Sequence, residues 1–191
     1  MLYTGKGDSG TTKVFGPDAR GRGSDLVRRS CDQQRISKSS ELPEALGALD
    51  ELNAYLGFAK MRAKDAVRIA KAIRTAQENL FIIQAQTAGA DKKLATNAAE
   101  EMEELIGEIE KEIPPITGFS IAGGTELSAI LDVARTFARR AERRLIAVEE
   151  VGLRTLLPET KTYMNRLSSL LFALARLANH EAGILEENPR Y

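Results

Sequence analysis

Residues 125–151 read TELSAILDVARTFARRAERRLIAVEEV, and the spacing of their apolar side chains decides the fold. Leu127, Leu131, Ala134, Ala138, Ala141, Leu145 and Val148 alternate by four and three positions, the period of a helix that lays one stripe into a bundle seam. The small alanines in that stripe permit close approach of neighbouring helices.

Working outward, four more segments keep a helical period. Segment 41–63 carries Leu42, Leu46, Leu49, Leu52 and Leu56, with Pro43 tolerated in the opening turn. Segment 65–90 carries Ile69, Ile73, Leu80 and Ile83. Segment 95–113 turns Met102, Leu105, Ile109 and Ile113 inward and most of its glutamates outward, and Pro114-Pro115 stops it. Segment 158–182 carries Met164, Leu167, Leu171, Leu174 and Ala178. Five amphipathic helices with short connections predict an all-α, up-and-down five-helix bundle, with neither β-alternation nor an internal repeat. The first forty residues are rich in Gly, Ser, Lys, Arg and Asp and lack an apolar period, so 1–40 reads as a glycine-rich loop. With the helical part, 41–191, it makes a single domain, 1–191.

Composition narrows the chemistry. With 27 Lys plus Arg against 27 Asp plus Glu, no bulk attraction to nucleic acid or an anionic membrane is expected, so any polyanion must meet a local cluster. No apolar run reaches the roughly 20 residues of a membrane-spanning helix, and the opening residues resemble neither a signal nor a transit segment; the expected location is cytoplasmic. Cys31 and His180 are the only cysteine and histidine, which excludes an internal disulfide and a cysteine–histidine zinc site. His180 suits a helix carboxyl end, and Cys31 in a polar loop has no catalytic partner nearby in sequence. The usual nucleophile and base pairs are missing, so a cofactor that brings its own nucleophile fits best.

Two clusters suggest anion binding. Gly5-Lys6-Gly7-Asp8-Ser9-Gly10 has the letters of a dinucleotide fingerprint, but no strand can precede it and no helix follows. Its exposed amides, with Thr11, Thr12, Lys6, Lys13 and Lys38, could wrap phosphate oxygens; a plain tail is the competing reading. In 135–144, helical spacing puts Arg135, Arg139, Glu142 and Arg143 on one flank. Such crowded cations want an anion, and a triphosphate would serve, with Glu142 helping to hold magnesium. An ion-pair network with the acidic third helix is the alternative. Asp50-Glu51 in the first helix either faces solvent or pairs with an arginine across an interface, and Asn165 offers a donor and an acceptor suited to a nucleotide edge.

Taken in order, the segments Tyr3 to Thr12, Glu44 to Asn53, Phe119 through Gly123-Gly124-Thr125 to Arg144, and Tyr163 to Ser168 resemble the PduO-type ATP:cob(I)alamin adenosyltransferases, which are trimers of five-helix bundles. The resemblance implies a ferritin-like, cobalamin-adenosyltransferase-like fold and transfer of the 5′-deoxyadenosyl group of ATP to cobalt, releasing triphosphate. By the same resemblance Thr4, Gly5, Lys6, Gly7, Thr12, Lys13 and Lys38 fold over ATP. Arg139, Arg140, Ala141, Glu142 and Arg143 form the polyphosphate segment, in which Arg139 and Arg143 hold the triphosphate and Glu142 assists Mg2+. Asn165 contacts the nucleoside, and Phe119 crowds the lower face of the corrin. Asp50 pairs with Arg135 between subunits of a homotrimer. A reductase and a cobalamin-dependent acceptor enzyme are the implied partners.

This chain departs from the family pattern at Asp132, usually histidine, at Ser169, usually aspartate, and at Ser120-Ile121-Ala122, where Ile-Leu-Pro is preferred. It also has a longer, more basic loop through Arg20, Arg22, Arg28 and Arg29. These changes bear on corrinoid affinity and loop closure more than on ATP binding. They motivate a second reading, an ATP-binding bundle without transferase activity that acts as a cofactor escort or sensor. A third is a purely structural interaction protein.

Overall fold

A computed structural model describes residues 3–14 and 35–190. Cys31 and the arginines at 20, 22, 28 and 29 lie outside the described residues. Five helices form in the expected places: α1 (Glu41–Arg62), α2 (Val67–Thr87), α3 (Ala98–Glu112), α4 (Glu126–Glu150) and α5 (Pro158–Glu181). Helix α4 begins where Thr125 accepts a hydrogen bond from the Ser128 amide, a side-chain cap on one of the orphan first-turn donors. Helix α2 starts two residues later than its apolar period suggested, because residues 63–66 close a separate turn through Ala66 N–H and Ala63 O at 3.0 Å. It ends earlier because Ala90 N–H donates back to Ala85 O at 2.8 Å, satisfying a carbonyl that the helix leaves open.

The core follows the predicted stripes. Leu49, Leu52 and Leu56 of α1, Ile73, Leu80 and Ile83 of α2, Ile109 of α3, Leu131, Ala134, Ala138 and Ala141 of α4, and Leu167, Leu171 and Leu174 of α5 are fully buried. Leu46, Leu105 and Leu127 are only half-buried, at the edges of their stripes. Helix α4 packs on both α1 and α5, with α2 against α1 and α3 against α5. The alanine seam explains that central place: without long side chains, α4 can approach a neighbour on each side.

The absence of β-structure expected from the sequence is corrected in the front segment. Strands β1 (Thr11–Lys13) and β2 (Arg35–Ser37) pair antiparallel, with Thr12 opposite Ile36. Three residues are too few to display an alternating pattern, and the strands meet only through a long intervening stretch. Val14 and Ile36 rest on the bundle core, so the hairpin is docked. No helix among the described residues is long and apolar enough to cross a membrane.

Candidate active site

The glycine-rich segment is ordered by the hairpin beneath it. Asp8 N–H donates to Gly5 O at 3.3 Å and Gly10 N–H to Gly7 O at 3.1 Å, so two turns follow one another. Lys38 N–H donates to Gly10 O at 2.9 Å and brings its own chain to the same place. A Cβ at Gly7 would lie 3.0 Å from Lys38 Nζ, which shows how closely that ammonium sits on the turn. Arg35 binds the Thr11 hydroxyl and the Thr11 carbonyl, both at 2.8 Å, and also the Lys6 carbonyl. Thus Thr4, Gly5, Lys6, Gly7, Thr12, Lys13 and Lys38, scattered over 35 residues of sequence, belong to one small loop-and-hairpin unit.

On α4 the arginines divide. Arg140 forms an ion pair with Glu51 of α1 and lies 4.7 Å from the Phe137 ring centre; Arg144 lies 3.7 Å from Glu44 of α1. These two line a polar cavity of about 300 Å³ with Pro43, Gly47 and Ala48. Arg139 and Arg143 are exposed and have no carboxylate partner among the described residues; Arg143 donates only to the Arg139 carbonyl, at 3.0 Å. Beside them Glu142 accepts from Asn165 Nδ2 at 3.1 Å. Asn165 in turn accepts from Arg166 at 2.6 Å, and Arg166 donates to Glu103 of α3 at 2.5 Å. Ala141 is fully buried in the seam, so its methyl belongs to the core. The acidic third helix meets Arg68 of α2 and Arg166 of α5 rather than the α4 flank.

Phe119 stands 79% exposed on the loop between α3 and α4, free to meet a ligand. That loop ends in an elbow held by several side-chain hydrogen bonds. Asn179 of α5, buried, accepts from Thr125 N–H at 2.9 Å and donates to Gly123 O at 2.7 Å. A Cβ at Gly124, whose φ is +111°, would sit 2.4 Å from the Asn179 side chain, so the backbone there needs glycine. Asp132 accepts from Gly123 N–H at 3.0 Å and reaches Arg135 Nε at 3.6 Å, an ion-pair distance too long for a hydrogen bond. Arg135 Nε is buried without a hydrogen-bond partner among the described residues, while its guanidinium lies 5.9 Å from the Phe172 ring centre. Asp50 is exposed on α1.

Residues 2–178 match the family model described as cobalamin adenosyltransferase. The chain belongs to this family. A corrinoid adenosyltransferase of Citrobacter freundii is 36% identical over 183 residues, covering 92% of this chain and 93% of that relative. The corrinoid adenosyltransferase PduO of the same organism is 35% identical over 189 residues, covering 95% of this chain and 50% of its own length. The chain therefore spans about half the length of the PduO relatives it matches. A structure of a variant PduO-type ATP:corrinoid adenosyltransferase from Lactobacillus reuteri, in which a phenylalanine is replaced by histidine, is complexed with cobalamin and ATP. It superposes with a TM-score of 0.84 at 26% identity, over 100% of this chain and 97% of that one. A variant of the Lactobacillus reuteri enzyme with arginine replaced by lysine, complexed with ATP, gives 0.81 at 25% identity, over 99% and 100%.

Within this family member, sequence reasoning overlooked Arg35, Arg176, Asn179 and Glu186. Arg35 gave no signal, because its role depends on a strand register spanning an unpatterned stretch. Asn179 could have been found: a neutral polar residue at a core-facing position of an apolar helix needs a buried partner.

Proposed function

We propose that the chain transfers the 5′-deoxyadenosyl group of ATP to cob(I)alamin, giving adenosylcobalamin and triphosphate. The electron pair of cobalt(I) forms the bond to C5′, the C5′–oxygen bond breaks, and its electrons leave on the triphosphate. The observation that carries this reading is the unequal pairing along α4. Arg140 and Arg144 are matched by glutamates of α1, whereas Arg139 and Arg143 stand exposed beside Glu142 and Asn165 without a carboxylate among the described residues. Two such cations stabilise charge that builds on a leaving polyphosphate.

The remaining parts suit that chemistry. The amides of Gly5 and Gly7 and the side chains of Thr4, Lys6, Thr12, Lys13 and Lys38 close over the nucleotide, and Asn165 meets its nucleoside. Among the described residues no three His, Cys, Asp or Glu side chains group into a protein cage for a metal ion. A single carboxylate, Glu142, fits magnesium, which keeps much of its coordination as water and phosphate oxygens and would neutralise phosphate charge there. Phe119 would press on the lower corrin face and exclude an axial base. Asp50, exposed on α1, would meet Arg135 of a neighbouring copy in a homotrimer, giving active sites between subunits. The setting is cytoplasmic, with a reductase upstream and a cobalamin-dependent acceptor enzyme downstream.

Purified protein given ATP, magnesium and chemically reduced cobalamin is expected to convert the corrinoid spectrum to that of adenosylcobalamin, with one triphosphate released per turnover. ATP binding with an unchanged spectrum would support the escort or sensor reading instead.

A further inference from the structure

The loop that carries Phe119 is fastened on both sides of Phe119, to α5 before it and to the segment following α5 after it. Helix α5 ends at Glu181; Gly183 N–H reaches His180 O at 3.0 Å, and the Gly183 φ of +67° turns the chain back so that Ile184 N–H reaches Asn179 O at 2.9 Å. Segment 183–190 then meets the loop. Arg176, only 6% exposed within α5, donates from Nε and Nη2 to the two oxygens of Glu186 at 2.5 and 3.1 Å. The same Nη2 donates to Pro114 O at 2.6 Å, at the start of the loop. Beyond Phe119, Ile121 N–H donates to Glu187 O at 2.7 Å.

We infer that Arg176 and Glu186 are positioning residues for the transfer site, holding the 114–122 loop so that Phe119 is presented at a fixed height and angle. The inference rests on Phe119 acting on the corrinoid as proposed above. Neither residue touches substrate. The two-pronged guanidinium–carboxylate pair fixes orientation as well as distance. Without Glu186, Arg176 is a buried charge with only a carbonyl for a partner, so the pair resists separation. The loop has little burial of its own to hold it: Ile116, Phe119 and Ile121 are all more than half exposed. Its geometry therefore depends on these anchors and on the Asn179 elbow.

The test uses the full chain with Glu186→Ala and Glu186→Gln. Without ligand, amides of 114–122 in Glu186→Ala are expected to exchange hydrogen about tenfold faster than in the parent. With substrates, KM for cob(I)alamin is expected to rise about fivefold while KM for ATP changes less than about twofold. Glu186→Gln keeps an acceptor for one N–H and is expected to fall between, and it carries the test alone if the alanine variant does not fold. Unchanged loop exchange in the variants overturns the inference, as does an equal rise in both KM values, the pattern of general structural loss. Exchange is read without substrate, so a parent enzyme that fails to transfer adenosyl sinks the proposed function separately from the anchoring of the loop.

Discussion

Arg139 projects from α4 into solvent, so its removal disturbs little packing and tests binding alone. Arg139→Ala is expected to weaken ATP binding at least about tenfold by calorimetry, since a charge-assisted hydrogen bond contributes about 1.5–3 kcal/mol. Its stability to denaturant is expected to stay within about 0.5 kcal/mol of the parent. The opposite pattern is expected at the elbow. Gly124→Ala places a methyl 2.4 Å from Asn179 at a φ of +111°, and Asn179→Ala leaves the Thr125 amide without its buried acceptor. Each is expected to destabilise by about 2 kcal/mol in equilibrium unfolding. At this scale the arginine flank was legible, because helical spacing alone sets which residues are neighbours. That Arg140 and Arg144 meet carboxylates while Arg139 and Arg143 have none among the described residues was not, since that depends on Glu44 and Glu51 from another helix.

The joint between α4 and α5 has its own electrostatic fastening. Glu149 accepts from Leu156 N–H at 3.0 Å and from Lys161 at 3.1 Å, and these contacts, the backbone one foremost, hold its carboxyl below the usual carboxylate range. A carboxyl lowered on folding stabilises fully above its ordinary range and loses that contribution as pH falls through the lowered value. Melting temperature measured from about pH 6 to about pH 3 is therefore expected to fall less steeply in Glu149→Gln than in the parent. Leu171→Ala, in the fully buried α5 stripe, is expected to cost about 2–5 kcal/mol at any pH. The stripes of all five helices could be read from sequence because a helix of twenty residues repeats its signal several times. The β1–β2 hairpin could not, because each strand offers three residues and its partner lies beyond a long stretch. Nor could the Arg176–Glu186 clamp, whose geometry depends on the turn at Gly183.

For the whole molecule, the proposed contact of Asp50 with Arg135 of a neighbouring copy predicts the assembly state. Sedimentation of the parent is expected to give a trimer, and Asp50→Arg is expected to shift it toward monomer at equal concentration while leaving helical content unchanged. A parent that sediments as a monomer would remove the proposed site between subunits. Within one copy α4 is covered by α1 on one side and α5 on the other, which leaves its outer flank exposed.

The glycine-rich front segment and the α4 arginines are proposed to act on one polyphosphate. A crystal structure of the full chain with ATP and magnesium tests it directly. The expected result is a single triphosphate within hydrogen-bond distance of Arg139, Arg143 and the Gly5–Gly7 backbone; ATP seated with its phosphates away from either group would contradict it.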